Sequence, residues 1–403
     1  MIVKLAHIAD LHADERGRMQ DLEHVLDAFV VQCYEENVRA IAIAGDLYER
    51  RSTPAERNLI AAFVLQCAEC APVYIVKGNH DVEGDLDILG QLGGENLIHV
   101  ETEASAQPGS SILARPFAFL GCSWFDKANL VASLDVTEDA ASTTERTIRA
   151  ARGLLTALRA EASNAVYEGM VPILVAHVLV AGSETSTGQT LIGTTVELSP
   201  GDLADVGCAY VALGHIHKAQ SWCGGRVAYS GSPQRNNFGE PEAKGWNLVT
   251  IDTERWREPD GVTVEFRELP ARRIVLIERD WSEVNRTDNL GAPEHAVVPN
   301  GEDVSGALVR VRYRIRAEDL QYVNENAIEA DLLAAGAHEV KIEAVLEHTE
   351  RVRAAAIVEA RDTWDKLTAY WTAAGIDVPD ATKERIRSKL AEIESRQRQE
   401  VAA

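Results

Sequence analysis

Five short apolar segments in the first 220 residues are each followed by side chains that can bind a metal ion or move a proton. The segments read LAHIA, IAIAG, VYIVKG, PILVA and YVALG. The polar residues that follow them are Asp10 and His12, then Asp46, then Asn79, His80 and Asp81, then His177, and finally His215 and His217. Loops at the carboxyl ends of strands converge in layered α/β sheets. We therefore expect these distant residues to meet in one site.

The residue types and spacing predict the chemistry of that site. Asp10 and His12, like His215 and His217, are two residues apart, so each pair projects to one side of an extended segment. A mixture of carboxylate, imidazole and amide ligands suits Mn, Fe or Zn, and this many imidazoles argue against Mg or Ca. Seven candidate ligands with one shared carboxylate favour two ions. Two ions about 3.5–4 Å apart can clamp a phosphate during in-line displacement, which predicts phosphoester hydrolysis.

Length and charge limit the class of protein. With 403 residues and 46% hydrophobic content, the chain predicts a globular protein of two or three domains. The formal charge of -23 argues against a protein that coats nucleic acid by bulk attraction, so any DNA contact must be local. The N-terminus lacks the pattern of a signal peptide, and no apolar run reaches the ~18 residues of a membrane span. The scattered cysteines are typical of reduced thiols, and we expect a cytoplasmic protein.

The elements that must position the site alternate in type along the first part of the chain. Short β-branched runs alternate with amphipathic stretches, which predicts a layered α/β fold. Strands are predicted at 2–9, 38–44, 72–77 and 116–122, and helices at 20–36, 54–69 and 137–164. Beyond this point shorter apolar runs (172–177, 208–213, 226–229, 246–251, 262–268) with frequent turn signals predict a more antiparallel second half.

A boundary is predicted near Pro270, followed by a small β-α-β unit. Residues 307–316 alternate between apolar side chains and the arginines Arg310, Arg312, Arg314 and Arg316. A helix at about 317–335 and a strand at 338–347 complete the unit. Two amphipathic helices are predicted in 361–398, with apolar residues at helical spacing. Those residues are Trp364, Leu367, Trp371, Ile386, Leu390 and Ile393.

The ordered motifs resemble those of the calcineurin-like metallophosphoesterases. They are DLH at 10–12, GDLYER at 45–50, GNHD at 78–81, AH at 176–177 and GHIH at 214–217. Within that family, GHIHKAQ at 214–220 followed by YSGSPQRNNFGE at 229–240 is similar to the SbcD-type nuclease subunits of bacterial SbcCD complexes. The resemblance implies an α/β fold: a metallophosphoesterase β-sandwich flanked by helices, with a small α+β cap domain and C-terminal helices. It also implies a metal-dependent DNA exonuclease and endonuclease that processes double-strand breaks.

The resemblance implies a role for each site residue. Asp10, His12 and His217 would hold one ion, Asn79, His177 and His215 the other, and Asp46 would bridge them. His80 would stay off the metals and act on the substrate, as proton donor to the leaving oxygen or as a stabiliser of phosphate charge. Asp81 would orient one of the histidines, and Glu49 is a further supporting residue. The implied cofactors are two divalent ions, with Mn²⁺ expected first and Mg²⁺, Fe or Zn as alternatives.

The resemblance further divides the chain into a nuclease domain (1–270), a DNA-recognition cap (271–350) and a helical segment (351–403) that binds an SbcC-like SMC-family ATPase. It implies a homodimer associated with the nucleoid. The arginines of 310–316 have two interpretations, which are contact with DNA phosphates and the solvated face of an edge strand. The C-terminal helices, through residues such as Trp364, Leu367, Trp371, Ile386 and Leu390, either bind the ATPase or pack on their own domain.

Two other functions fit the same residues. A phosphodiesterase or phosphatase acting on small nucleotides or phosphoproteins would use the same ligands, because fold does not fix substrate. The β-α-β unit and the C-terminal helices argue against it, since a small-substrate hydrolase needs neither. A scaffold with purely structural metals would predict a broken ligand set, whereas every ligand position and His80 are filled.

Overall fold

The computed structural model describes residues 1–82, 84–102, 110–111, 115–125, 143–186, 189, 196–282, 303–347, 360 and 362–401. Within these ranges, two six-stranded sheets face each other across a shared apolar core. The strands of the first sheet are β1 (Ile2–Ile8), β2 (Ala40–Ile43), β3 (Val73–Val76), β4 (Ile98–Glu101), β13 (Gly245–Asp252) and β14 (Val262–Glu268). They lie in the order β14-β13-β1-β2-β3-β4.

The strands of the second sheet are β5 (Ser110–Ser111), β6 (Phe117–Cys122), β7 (Val171–His177), β10 (Tyr210–Gly214), β11 (Gln220–Trp222) and β12 (Val227–Tyr229). They lie in the order β11-β12-β10-β7-β6-β5. A separate two-stranded sheet pairs β8 (Leu179–Val180) with β9 (Glu197–Leu198).

Helices cover both outer faces of the sandwich. α1 (Met19–Glu36) and α2 (Pro54–Cys70) pack on the first sheet through residues such as Phe29 and Phe63. α3 (Thr143–Tyr167) and the short α4 (Pro200–Ala204) pack on the second. α2 begins with a capping box, in which the Thr53 hydroxyl accepts from the Glu56 amide and the Glu56 carboxylate accepts from the Thr53 amide. The predicted α/β sandwich flanked by helices is confirmed.

The expectation of a more antiparallel second half is wrong for the second sheet. β6, β7, β10 and β12 pair in parallel, whereas β11 pairs antiparallel with β12, and in the first sheet β13 and β14 form antiparallel pairs. The short apolar runs of β7 and β10 are buried on both faces, as parallel strands usually are. Turn signals between the runs are therefore a poor guide to strand direction. Parallel pairing brings the carboxyl ends of these strands to one edge.

Beyond residue 270, β15 (Ile274–Asp280), β16 (Leu308–Arg316) and β17 (Glu339–Glu347) form a three-stranded sheet in that order, accompanied by α5 (Glu325–Ala334). Val309, Val311, Tyr313 and Ile315 are buried, which confirms the predicted alternation. Because β16 is the central strand, the edge-strand interpretation of its arginines is wrong. α6 (Thr363–Ala374) and α7 (Asp380–Val401) are the two C-terminal helices.

The described residues fall into two compact units. The first comprises Met1–Glu278, Ala292–Arg312 and Glu325–Glu343, and the second comprises Arg279–Gly291, Tyr313–Asn324 and Ala344–Ala403. The domain limits predicted at 270 and 350 stay predictions. Among the described residues, no helix combines the length and apolar character that crossing a membrane requires.

Candidate metal centre

The predicted site residues meet at the carboxyl ends of strands from both sheets. Two backbone contacts hold the first two loops together, because the amides of Asp10 and His12 donate to the carbonyls of Gly45 and Asp46, both at 3.0 Å. Four of the candidate ligands have left-handed backbones: Asp10 (φ 56°), His12 (φ 48°), Asp46 (φ 52°) and His215 (φ 111°). Such conformations are uncommon outside glycine and concentrate at functional sites. The loops are shaped to aim these side chains inward.

Glycines before the ligands permit this close approach. A Cβ on Gly78 would lie 2.1 Å from Asp46 Oδ1, and one on Gly45 would lie 2.4 Å from His177 Nδ1. Neither neighbour could move without displacing a candidate ligand. The glycines of the GD and GNHD motifs are therefore steric requirements of the site.

One cluster contains Asp10, His12 and His217, whose ligand atoms lie within 4.8 Å of one another. The two Nε2 atoms of His12 and His217 are 3.0 Å apart. On the opposite side of each ring, Nδ1 faces a carboxylate: Glu49 Oε2 at 2.6 Å from His12, and Glu240 Oε1 at 3.1 Å from His217. Each carboxylate fixes the ring and directs its Nε2 toward the centre.

The second cluster contains Asp46, His177 and His215, with Asn79 between the histidines. Asn79 Oδ1 lies 3.0 Å from His177 Nε2 and 2.8 Å from His215 Nδ1. Asp46 Oδ2 lies 3.2 Å from His177 Nε2 and 3.7 Å from His12 Nε2, so one carboxylate faces both clusters. His177 Nδ1 donates to the Ala44 carbonyl at 2.7 Å, so in the neutral ring the lone pair lies on Nε2.

The pKa values of neighbouring groups in this site are shifted in opposite directions. Burial alone would lower the pKa of His12, but its bond to Glu49 and the charge of Asp46 outweigh burial and raise that pKa to about 9. Burial raises the pKa of Asp46, yet the charge of His177 outweighs it and holds that pKa well below its usual range. Burial, with repulsion from His177, lowers the pKa of His215 to about 3. Concentrated negative charge thus holds protons on some rings where a cation would otherwise sit.

These residues fit divalent ions. Asp10 Oδ2 and His215 Nε2 are buried without a hydrogen-bond partner among the described residues. Buried polar atoms are normally satisfied, and a metal ion would satisfy both. The facing Nε2 atoms of His12 and His217 can form a hydrogen bond with each other only if one of them carries a proton. The donor set of carboxylate, imidazole and amide oxygen suits borderline metals.

His80 lies beside the clusters and is held by a different contact. Its Nδ1 donates to the Glu49 carbonyl at 2.8 Å, and its amide donates to Asp46 Oδ1 at 2.8 Å. The side chain is 27% exposed, more than the side chains of His12, His177 and His217. A ring nitrogen of His80 also lies within 4.8 Å of a ring nitrogen of His12 and a carboxylate oxygen of Asp46. His80 is therefore the histidine with access both to solvent and to the centre.

The sequence predicts that Asp81 orients a histidine, but in the structure Asp81 binds backbone amides instead. Its Oδ1 accepts from the amides of Leu47 (2.9 Å) and Tyr48 (3.1 Å), and its Oδ2 accepts from the amide of Gly78 (2.9 Å). Asp81 thus ties the loop after β2 to the loop after β3. Glu49 is the carboxylate that orients a histidine.

Sequence reasoning missed three residues of the site. Glu240, fully buried, orients His217 and is itself held by Lys244 Nζ at 2.8 Å. The Trp124 ring lies 4.8 Å from that of His215. Gln189 Nε2 donates to the His215 carbonyl at 2.7 Å. Only Glu240 had a sequence signal, since it ends the YSGSPQRNNFGE stretch.

Both candidate clusters open onto a cleft of about 920 Å³, which is lined by His12 and His217 from the first and by Asp46, Asn79 and His215 from the second. All its lining residues belong to the first unit. Beyond the centre they include Arg16, Arg18, Asp21, Arg235, Asn236 and, at the start of β17, His338 just before the strand and Glu339 as its first residue. This volume is near the upper end for small-ligand sites. The cleft can hold more than one phosphate group.

The predicted DNA and partner residues lie elsewhere. Arg310 contacts Glu343 at 2.6 Å, and Arg312 faces Glu278 at 3.8 Å, while Arg314 is exposed and Arg316 is partly buried. In the C-terminal helices, the Trp364 and Trp371 rings make an edge contact at 5.9 Å. Leu367, Ile386 and Leu390 are half-buried on the same helices.

Comparison with known proteins identifies similar folds and a family. The family model for calcineurin-like phosphoesterases matches residues 3–219, more than half of the chain and all seven candidate ligands. Among solved structures, the chain is similar to GAP50, the anchor in the inner membrane complex of Plasmodium (15% identity, 66% of this chain and 84% of that one, TM-score 0.41). It is also similar to TT1561 of Thermus thermophilus (13%, 66% and 99%, TM-score 0.33). A third similar structure is the purple acid phosphatase PPD1 from yellow lupin seeds (12%, 67% and 53%, TM-score 0.38).

Proposed function

The chain belongs to the calcineurin-like phosphoesterase family, which makes it a metal-dependent phosphoester hydrolase, and from that premise we propose that it is a nuclease that hydrolyses phosphodiester bonds in DNA. The observation that carries the proposal is the convergence of seven ligand candidates on one centre, five of which line one wide cleft together with His80. A cleft of about 920 Å³ exceeds what a single phosphate group needs.

In this proposal the ligand residues would hold two divalent ions. Asp10, His12 and His217 would hold one, Asn79, His177 and His215 the other, and Asp46 would bridge. When bound, the ions supply positive charge that neutralises the phosphate and lowers the pKa of the attacking water. Mn²⁺ is the metal that we propose first, with Mg²⁺, Fe or Zn as alternatives.

The chain's own residues supply the remaining steps. Glu49 and Glu240 hold the rings of His12 and His217 in place, and Asp81 fixes two of the loops. Water attacks phosphorus as the ester P–O bond breaks, and the leaving oxygen must gain a proton. His80 can donate it as an imidazolium, because its Nδ1–H is bonded to the Glu49 carbonyl and the proton on Nε2 remains for the leaving oxygen.

The wider assembly is proposed by resemblance to SbcD-type nucleases. The chain would act as a homodimer with an SbcC-like ATPase at double-strand breaks, near the nucleoid. None of residues 363–374 is fully buried, and a paired Trp364 and Trp371 on a half-exposed helix supports a partner-binding role. For DNA contact, Arg314 is a better candidate than Arg310, whose charge is opposed by Glu343.

The decisive experiment compares two substrates. The purified chain with manganese is given end-labelled duplex and single-stranded DNA, and separately a small chromogenic phosphodiester, with Asp46→Asn as the inactive control. Cleavage of DNA by wild type and not by Asp46→Asn supports the proposal. If wild type cleaves the small diester and leaves DNA intact, with or without a cognate ATPase, the DNA assignment is wrong and a small-substrate phosphodiesterase is the better interpretation.

A further inference from the structure

Arg18 lies in the wall of the cleft that the candidate metal clusters line. It follows the DLH motif by six residues and directly precedes α1. Its side chain is only 15% exposed. The Phe238 ring lies 5.3 Å from its guanidinium carbon, and Nη1 donates to the Arg235 carbonyl at 2.8 Å. These contacts fix a buried positive group beside the site.

The other arginines of the cleft are in different situations. Arg235 donates to five backbone carbonyls, so its guanidinium is committed to holding the chain together. Arg16 is exposed at the rim. Asp21 acts on Arg18 electrostatically but is hydrogen-bonded to Arg272. Among the described residues, Arg18 is therefore the cleft arginine that is fixed in position and hydrogen-bonded to a single side-chain anion.

That anion is Glu339, the first residue of β17. Its Oε2 accepts from Arg18 Nε at 3.1 Å, and its side chain is 47% exposed. An ion pair with so exposed a carboxylate contributes little to stability. A guanidinium has five N–H donors arranged to match phosphate, so Arg18 can exchange this partner at small cost.

We propose that Arg18 binds a phosphate of the substrate next to the scissile one, and that Glu339 occupies Arg18 until the substrate displaces it. A substrate held at the metal centre presents its neighbouring phosphate at a high effective concentration, which favours the exchange. Arg18 then determines specificity for substrates with several phosphates over single phosphodiesters. This inference rests on the proposed nuclease function and names the residue that selects a polynucleotide.

The test measures KM and kcat on a duplex oligonucleotide and on bis(4-nitrophenyl) phosphate, which carries one phosphate. Arg18→Gln should lower the ratio of kcat/KM for DNA to that for the diester by about tenfold to hundredfold, mainly through KM. It should also reduce the slope of log(1/KM) for DNA against log[salt] by about one. Arg18→Lys should recover only part of the loss, since lysine restores the positive charge but not the planar set of N–H donors that matches a phosphate.

Glu339→Gln should act in the opposite direction, lowering KM for DNA about two- to fivefold, because the competing anion is gone. Glu258→Gln is the matched control, since Glu258 forms an exposed ion pair with Arg255 outside the cleft. This variant should not change KM or kcat for either substrate. Thermal unfolding checks that each variant is folded.

The outcomes separate this inference from the function on which it rests. If wild type cleaves DNA while Arg18→Gln and Glu339→Gln leave the DNA-to-diester ratio unchanged, the pair is only a structural tie and this inference alone is overturned. If wild type cleaves the diester and not DNA, the proposed function is overturned and the inference with it.

Discussion

The Nε2 atoms of His12 and His217 lie 3.0 Å apart, and each ring is held from its other side by a carboxylate, Glu49 or Glu240. Two lone-pair nitrogens at this distance repel unless a proton or a cation lies between them. The arrangement of carboxylate, ring and shared centre is that of a metal site whose ligands are oriented from outside.

Loss of the outer carboxylate should therefore weaken metal binding. We expect Glu240→Gln to lower metal affinity about 10- to 100-fold, measured by calorimetric titration and by metal content after dialysis. Glu242→Gln is the control, because Glu242 also contacts Lys244 but has no contact with a site histidine. Full metal content and activity in Glu240→Gln would show that Glu240 is not needed to orient His217.

His80 should separate turnover from metal binding. We expect His80→Asn to lower kcat on the small diester about 10²- to 10⁴-fold while both ions stay bound, because the proton donor is lost and the proposed ligands remain. Asp46→Asn should lose metal as well as activity. If His80→Asn instead loses one ion, His80 is a ligand together with His12 and Asp46, as their distances permit.

The glycine before Asn79 should not tolerate a methyl group. Gly78→Ala would place a Cβ 2.1 Å from Asp46 Oδ1, so the loop must shift and with it the carboxylate that we propose as the bridge. We expect a loss of metal content and a decrease of about 1–3 kcal/mol in the free energy of unfolding. Gly93→Ala, where no atom lies within 4 Å of the new Cβ, should match wild type in both measurements.

His7 should make stability depend on pH. It is fully buried and bonded to the Tyr210 hydroxyl and the Leu213 carbonyl. Burial lowers its pKa from 6.5 to about 3. Between these two pH values, the unfolded chain binds a proton that the folded protein does not. The contribution of His7 to the free energy of unfolding is therefore fully present above pH 6.5, and it decreases by about 1.4 kcal/mol per pH unit as the pH falls toward 3.

Urea unfolding in a metal chelator at pH 7.5 and pH 5.0 measures this effect. We expect wild type to lose about 2 kcal/mol more than His7→Gln between the two conditions, because the variant has no group to titrate there. Equal losses in the two proteins would mean that His7 does not set the pH dependence.

The sequence determined most of the elements and the identity of the candidate ligands. Apolar periodicity located α1 and α2 to within one residue at each end, since a buried face must repeat at the period of its helix. Ligand types follow strand ends at five places, and that pattern needs no coordinates to be seen. The capping box of α2 was likewise a purely local signal.

Tertiary structure decided what depends on contacts between distant segments. Trp124 has no local feature that marks it as a neighbour of His215, and the motif that ends in Glu240 does not say that this carboxylate contacts His217. Only folding brings these residues together. Strand direction in the second sheet, the backbone partners of Asp81 and the pairing of Arg18 with Glu339, 321 residues apart, were beyond local pattern for the same reason. Periodicity shows which face of a helix or strand is buried. Which residues pack against that face depends on the tertiary fold, because they come from distant parts of the chain.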